Sequence, residues 1–195
     1  MSAEGLVLPR SFYERDTLEV ARDLIGARLH RRLPPELGGH LLVGQITETE
    51  GYLGDADDAA HTHRGMTKRN RVMFGPPGHA YVYFIYGMYW NMNAVTQSEG
   101  RGEGVLIRGV VPIEGEKIMR ELRGGRPAIA DGPGKLCQAF AITGDDYGKD
   151  LTGSEIFITE KTHQPNLRAT PRIGINYADS KHEPWRFIDS DLRKK

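Results

Sequence analysis

The chain has 195 residues, enough to enclose one substantial hydrophobic core but few for two, so we expect a single domain over residues 1–195. Lys and Arg together number 26, as do Asp and Glu, which excludes a protein that binds nucleic acid through its net charge alone. Apolar runs fall far short of the ~20 residues of a membrane-spanning helix, and no signal pattern opens the chain, so we expect a cytoplasmic protein with no membrane partner.

The first predicted elements are a helix and a long strand. Asp16 and Glu19 have the spacing of a capping box, and the apolar residues after them repeat with a helical period to about Arg28. Residues 41–52 then alternate as a strand does. The sequence therefore predicts a helix that packs on the core, followed by a strand that leads into a loop.

Three polar side chains share one face of that strand, because alternate residues point the same way: Glu48, Glu50 and Tyr52. A carboxylate that faces a closed pocket can activate a water molecule, and nearby aromatic side chains can exclude bulk water. Glu50 or Glu48 is therefore a candidate general base. Two carboxylates on a solvated strand face would show the same spacing, so both interpretations stay open at this point.

Charges are segregated between the end of this strand and the segment after it. Residues 45–58 contain five acidic residues and no basic one, whereas residues 61–71 contain two histidines, four basic residues and no acid. One interpretation is an acidic pocket wall beside a basic rim, and the other is two solvated loops of opposite charge that pair with each other. The basic residues, which would hold DNA phosphates in the first interpretation, are Arg64, Lys68, Arg69 and Arg71.

A β-hairpin is predicted in the middle of the chain. Residues 81–86 and 88–95 are rich in aromatic and β-branched side chains, and Gly87 between them suits a turn. Both faces of the hairpin carry aromatic residues, which ordinarily indicates core. Tyr86, however, lies beside the turn, where burial is hardest, so an exposed wedge between DNA bases is the alternative.

The remaining elements indicate an α+β fold with mainly antiparallel strands. A strand at 105–111 is interrupted by one charge, Arg108, and helices are predicted at 115–123 and 134–142. Cys137, the only cysteine, lies among apolar residues of the second helix, which favours a buried thiol over a nucleophile. Short strands are expected at 155–159, 172–176 and 185–188. Hairpin-length connections outnumber helical crossovers, which favours antiparallel pairing.

Two histidines raise the possibility of a metal site. Imidazole and carboxylate are the usual ligands of hydrolytic zinc, so His61 and His63 with Glu48 and Glu50 could serve a metal-dependent hydrolase. The spacing does not match a recognised ligand set, and a third and fourth ligand must be assumed. Histidines of a pocket or loop are the alternative, in which case the protein needs no metal or other cofactor.

Five segments, taken together and in order, closely resemble the alkyladenine (3-methyladenine) DNA glycosylase family of the mammalian type: residues 48–54, 58–61, 69–74, 81–89 and 135–139. The resemblance implies a compact single domain with a curved antiparallel β-sheet flanked by helices and a protruding β-hairpin that enters DNA. It also implies a monofunctional glycosylase that flips damaged purines out of duplex DNA and hydrolyses the N-glycosidic bond, leaving an abasic site. The family's purines are of the 3-methyladenine, 7-methylguanine, hypoxanthine and ethenoadenine type.

The resemblance also implies roles for individual residues. Glu50 matches the general base, Arg108 a residue that helps to hold the water and a nearby phosphate, and Tyr86 the intercalating residue. Asn93 matches a residue that disfavours guanine by a clash with its 2-amino group. The pocket for the flipped base is implied at Tyr52, His61 and Tyr83.

The expected partner is therefore double-stranded DNA with damaged purines, and the expected protein is a monomer without a cofactor. It would act in the bacterial cytoplasm at the nucleoid, or in the nucleus if the source is eukaryotic. Two other functions remain open from the sequence: a metal-dependent hydrolase, and a binder of damaged DNA that has no catalytic activity.

Overall fold

Strands make up the centre of the structure, a computed structural model that describes residues 5–192. The strands, in chain order, are β1 (Arg28–Arg32), β2 (Leu41–Tyr52), β3 (Ala80–Ile85), β4 (Tyr89–Thr96), β5 (Glu103–Glu114), β6 (Ile156–Thr159), β7 (Leu167–Thr170) and β8 (Arg186–Asp189). They form one eight-stranded sheet in the order β3-β4-β5-β2-β1-β6, with β8 paired to both β2 and β7. Every pairing is antiparallel, which confirms the predicted α+β class.

Strand β2 organises the sheet because it has different neighbours along its two halves. One edge pairs with β5, whereas on the other edge the first half pairs with β1 and residues 48–50 pair with β8. The register shifts between Ile46 and Thr49, and such irregularities bend a strand. Glu48 lies at this irregularity and Glu50 just after it, both between β5 and β8.

The α-helices of residues 5–192 are short: α1 (Arg10–Tyr13), α2 (Thr17–Asp23), α3 (Glu116–Leu122) and α4 (Pro133–Ala139). Within this part of the chain no helix is long and apolar enough to cross a bilayer. Helix α2 packs against β2 and β5, and α4 packs against β4 and β5. Cys137 of α4 is buried in the core as predicted, and burial raises the pKa of its thiol far above the ordinary value.

The start of α2 confirms the prediction, but its end does not. The Asp16 carboxylate accepts hydrogen bonds from the backbone N–H groups of Leu18 (2.9 Å) and Glu19 (3.1 Å), as an N-cap residue does. The expected continuation to about Arg28 was wrong. The helix ends at Asp23 because Gly26, with φ of 88°, turns the chain into β1, a strand that was not predicted.

Most other predicted elements are confirmed. Residues 41–52 form β2, residues 81–95 form the hairpin of β3 and β4, and the strand predicted at 105–111 is the centre of β5. The two later helices and the strands at 155–159 and 185–188 appear within a few residues of their expected bounds as α3, α4, β6 and β8.

The strand predicted at 172–176 was wrong. Residues 172–176 form a loop. The strand in this part of the chain is β7, which ends just before the loop and pairs with β8. Apolar Ile173 and Ile175 mimic a strand's alternation, but Arg172 is buried while Ile173 is exposed, and Gly174 has φ of 82°. A left-handed glycine interrupts an extended run, so the loop turns back toward the end of β2.

Candidate active site

A cavity of about 280 Å³ lies against one face of the β3–β4 hairpin and extends to its tip. Its walls come from the end of β2, both hairpin strands, β5 and two loops that contain residues 59–62 and 173–177.

Aromatic rings form one wall of the cavity. Tyr81 and Tyr83 stack with their centroids 4.9 Å apart, and the His61 ring packs edge-on against Tyr83 at 4.7 Å. His61 Nδ1 lies 3.0 Å from the Tyr81 hydroxyl. Partial desolvation, helped by the charge of Arg69, lowers the pKa of His61, which favours the neutral ring. Such a wall suits a flat heterocyclic ligand.

Glu50 is completely buried at the edge of this cavity. Its Oε2 accepts hydrogen bonds from the Tyr52 hydroxyl (2.9 Å) and from Arg108 Nη1 (3.2 Å), and its Oε1 accepts one from the backbone N–H of Ile173 (2.8 Å). Tyr52, Arg108 and Ile173 line the cavity, whereas Glu50 lies directly behind them. The carboxylate is thus hydrogen-bonded to three groups of residues that line the cavity, although Glu50 itself does not line it.

Burial raises the pKa of Glu50 above that of an ordinary glutamate. Arg108, the Ile173 N–H and the Tyr52 hydroxyl oppose the shift because each stabilises the charged form. A carboxylate with a raised pKa accepts a proton more readily than an exposed one, which is the property that a general base needs.

Glu48 has a different environment from Glu50. Its Oε1 accepts hydrogen bonds from Arg108 Nε at 3.0 Å and from Arg186 Nε. The spacing along the strand left open which glutamate is the base. Besides Arg108, two groups of the cavity wall, the Tyr52 hydroxyl and the Ile173 N–H, donate to Glu50, which favours Glu50 as the base. Arg108 bridges both carboxylates, which accounts for the lone charge within residues 105–111.

Two asparagines of β4 also face the cavity, Asn91 and Asn93. Asn91 donates from Nδ2 to the Tyr83 hydroxyl at 3.4 Å. Asn93 is only 5% exposed, and its Oδ1 has no hydrogen-bond partner among the described residues. A buried amide oxygen without a partner costs free energy, so this atom favours a ligand that donates a hydrogen bond.

The hairpin tip lies at the mouth of the cavity. Tyr86 is 78% exposed and has φ of 54°, and Gly87 next to it has φ of 67°. Tyr86 also lines the cavity, so its ring stands where a ligand would enter. The core interpretation of the hairpin holds for Tyr81 and Tyr83 but is wrong for Tyr86.

The four basic residues of the segment 61–71 are exposed. Arg69 donates to the carbonyl oxygen of Phe84 (2.8 Å), and its guanidinium lies 5.7 Å from the centre of the Tyr83 ring. Lys68, Arg69 and Arg71 line a groove on the outer side of the hairpin. The alternative of two loops that pair by charge finds little support, because the buried acids Glu48, Glu50 and Asp57 bind arginines of β5, β8 and the loop after β7.

The metal hypothesis receives no support from the geometry. Both glutamates face Arg108, and a guanidinium occupies the space between them. His61 faces Tyr81, while His63 lies within 2.8 Å of the carbonyl oxygen of Asp55. Within residues 5–192, no group of three or more His, Cys, Asp or Glu side chains is arranged to hold a metal ion.

Sequence reasoning missed the loop after β7. Ile173, Ile175 and Tyr177 line the cavity, and Tyr177 is 74% exposed at its rim. The Ile173 contribution is a backbone N–H group, which every residue type except proline supplies, so no sequence signal could have revealed it. Tyr81 could have been found, because it belongs to the same alternation that singled out Tyr83.

Comparison with known proteins agrees with this geometry. Residues 11–193 match the family model described as methylpurine-DNA glycosylase (MPG). A protein of Methanocella arvoryzae named "Putative 3-methyladenine DNA glycosylase" is 50% identical over 190 residues, covering 95% of this chain and 93% of its own length. Proteins of the same name from Carboxydothermus hydrogenoformans and Bacillus cytotoxicus are 50% and 43% identical, and cover 93% and 92% of this chain and 94% of their own lengths. The chain therefore belongs to the methylpurine-DNA glycosylase family and is a monofunctional DNA glycosylase.

Proposed function

We propose that this glycosylase flips alkylated or deaminated purines, of the 3-methyladenine, 7-methylguanine, hypoxanthine and ethenoadenine type, out of duplex DNA into the cavity. There it hydrolyses the N-glycosidic bond with water that Glu50 activates. The observation that carries the proposal is the position of Glu50: a buried carboxylate with a raised pKa, directly behind an aromatic cavity whose mouth holds an exposed tyrosine.

Base flipping is proposed because the bond to be cleaved is shielded inside the base stack. Tyr86 is a large rigid side chain at the hairpin tip, well placed to fill the gap that an extruded nucleotide leaves. Damaged pairs unstack at lower cost than normal pairs, which gives part of the selectivity.

The flipped base would lie against Tyr52, His61 and Tyr83. An alkylated purine carries a positive charge that aromatic faces attract, and the charge also makes it a good leaving group. Asn93 contributes to selectivity because its side chain, buried in the cavity wall, clashes with the 2-amino group of guanine.

Cleavage proceeds through a sugar with oxocarbenium character, as in other glycoside hydrolyses. The Glu50 anion orients the attacking water, accepts its proton and stabilises the developing positive charge. A donor must move for the water to reach the carboxylate, and we assign this to the half-buried Tyr52, whose hydroxyl leaves Oε2 as the base enters. Arg108, which reaches both Glu50 and the cavity, holds the water and a nearby phosphate.

Arg64, Lys68, Arg69 and Arg71 are proposed to contact DNA phosphates on either side of the lesion, since they are exposed beside the hairpin. One protein molecule suffices for the reaction because a single chain builds the whole cavity. We therefore propose a monomer, in which residues 1–195 form one domain.

Incubation with lesion duplexes tests the proposal. The purified protein, in excess EDTA, is expected to release 3-methyladenine or hypoxanthine from a duplex oligonucleotide and to leave an abasic site without strand scission. Loss of release in EDTA with recovery on addition of zinc would favour the metal hypothesis instead. Binding of every lesion duplex without release of any base would contradict the proposal.

A further inference from the structure

A buried ion pair between Arg172 and Asp57 lies behind the cavity wall. Arg172 Nη1 is 2.6 Å from Asp57 Oδ2, Arg172 Nη2 is 2.8 Å from Asp57 Oδ1, and both side chains are 0% exposed. Bidentate pairs of this kind fix the relative orientation of the two groups as well as their distance. Neither side chain reaches the cavity, and neither has a role in the chemistry proposed above.

Arg172 contacts two residues next to Glu50 and directly precedes a third residue that binds it. Its Nη1 donates to the carbonyl oxygen of Gly51 (2.9 Å), and its guanidinium stacks on the Tyr52 ring at 4.6 Å. The next residue in the chain, Ile173, supplies the N–H group that donates to Glu50 Oε1. A displacement of Arg172 would therefore move two of the three hydrogen-bond donors of Glu50.

Asp57 connects this arrangement to the other loop of the cavity. Its carboxylate accepts hydrogen bonds from the backbone N–H groups of Leu53 (3.2 Å) and Ala59 (3.1 Å), in the segment that leads to His61. The Ser180 hydroxyl lies 2.9 Å from both Arg172 Nη2 and Asp57 Oδ1. The ion pair thus joins two loops that a flipped base would contact.

We propose that Arg172, held by Asp57, is a positioning residue for catalysis, which fixes the Ile173 amide against Glu50 Oε1 and holds the Tyr52 ring in the cavity wall. The inference rests on the proposed role of Glu50 as the base. Because the Arg172 side chain is buried, it does not contact DNA directly, so its replacement lowers the rate of bond cleavage by a larger factor than the affinity for the lesion duplex.

The pH dependence of the rate distinguishes this role from a purely structural one. Glu50 acts as a base only when ionised, so activity falls as the pH drops through its pKa. The Ile173 N–H lowers the pKa of Glu50, and weakening this hydrogen bond raises it, which moves the acidic limb to higher pH. The charged and titratable groups around Glu50 are Arg108 of β5, Arg186 of β8, Tyr83 of β3, Arg172 of the loop, and Glu48 and Tyr52 of its own strand.

The test compares Arg172→Lys with Arg31→Lys. Arg31 forms the matched control, since it pairs with Asp146 at 2.9 Å in an equally buried ion pair on β1. Lysine keeps the charge at both positions but loses the bidentate geometry that Arg172 has with Asp57. In single-turnover cleavage of a hypoxanthine-containing duplex, Arg172→Lys is expected to lower the rate about 10- to 100-fold, the cost typical of small misplacements of catalytic groups. The half-saturating protein concentration should change by a smaller factor than the rate, and the acidic limb of the pH–rate profile should move to higher pH.

Arg31→Lys is expected to lose similar thermal stability while its rate stays within about twofold of the wild type and its acidic limb stays in place. If Arg172→Lys does not fold, Ser180→Ala, which removes a single hydroxyl from the network, should show a smaller loss with the same shift of the limb.

Two results would overturn the inference: a folded Arg172→Lys or Ser180→Ala whose rate and acidic limb match those of Arg31→Lys, or an Arg172→Lys that loses only affinity for DNA. Glu50→Gln, measured beside these variants, distinguishes a failure of the positioning role from a failure of the proposed function. If Glu50→Gln is inactive and Arg172→Lys resembles the control, only the positioning role fails, whereas an active Glu50→Gln removes the proposed function as well.

Discussion

Replacement of Arg108 by methionine tests whether a buried guanidinium keeps Glu50 ionised. Arg108 is the only group that donates to both Glu48 and Glu50 among the described residues, at 3.0 and 3.2 Å. Methionine has a similar length and removes the charge. Breaking a buried ion pair by removing one partner costs about 3–5 kcal/mol, because the remaining charge stays buried. Arg186 still binds Glu48, so the penalty falls mainly on Glu50, and we expect a loss of about 3 kcal/mol at pH 8.

The loss should shrink as the pH is lowered. The pKa of Glu50 is already raised in the folded protein, and without Arg108 it rises further. Between its unfolded and folded pKa, the folded state binds more protons than the unfolded state, so stability increases as the pH falls. A rise of one pKa unit relative to the wild type would recover about 1.4 kcal/mol between pH 8 and pH 5.

Urea denaturation at pH 8 and pH 5, followed by circular dichroism, measures both quantities. Repetition in a Glu50→Gln background should make Arg108→Met less costly by about 1 kcal/mol or more, because the neutral amide needs no cation. An equal loss of stability at both pH values and in both backgrounds would refute this explanation, since it would mean that Arg108 contributes only packing.

Two further predictions concern DNA. Tyr86→Ala should lower the rate of single-turnover excision about tenfold or more, because a stacking wedge is worth about 1–3 kcal/mol, while nonspecific DNA binding and its salt dependence change little. The control is Met88→Ala, at an exposed site of the same hairpin, and equal effects of the two variants would contradict the wedge role. The double variant Lys68→Ala with Arg71→Ala should bind all duplexes more weakly and reduce the slope of log affinity against log salt by about 2, as measured by fluorescence anisotropy. The control Lys117→Ala, on α3, should leave the slope unchanged. An unaltered slope in the double variant would exclude the phosphate contacts.

The parts of the fold that could be predicted from the sequence have strong local patterns. The alternation of β2 and of the hairpin specifies strands whatever surrounds them, and Asp16 marks the start of α2 through hydrogen bonds to its near neighbours. The end of α2 depends instead on β1, whose pairing partners β2 and β6 lie elsewhere in the chain. The prediction of a strand at 172–176 was wrong because of a similar long-range contact: the burial of Arg172 depends on Asp57, 115 residues away.

The candidate site divides in a similar way. Glu50 and Tyr52 share a strand face, so their proximity follows from local spacing, and their hydrogen bond is observed. The contact of Arg108 with both glutamates needs the register between β2 and β5, which no local pattern specifies. The roles assigned to Tyr52, His61, Tyr83, Asn93 and the basic residues stay predictions that await lesion-bound DNA.

The most direct test of the account is single-turnover release of hypoxanthine or 3-methyladenine by Glu50→Gln, with the protein in excess over a lesion duplex. The amide keeps the shape of the carboxylate but cannot accept the proton of water. We predict that the variant binds the duplex as tightly as the wild type and releases the base about 10²- to 10⁴-fold more slowly, the usual contribution of a general base. Release at the wild-type rate by a folded Glu50→Gln would contradict the account.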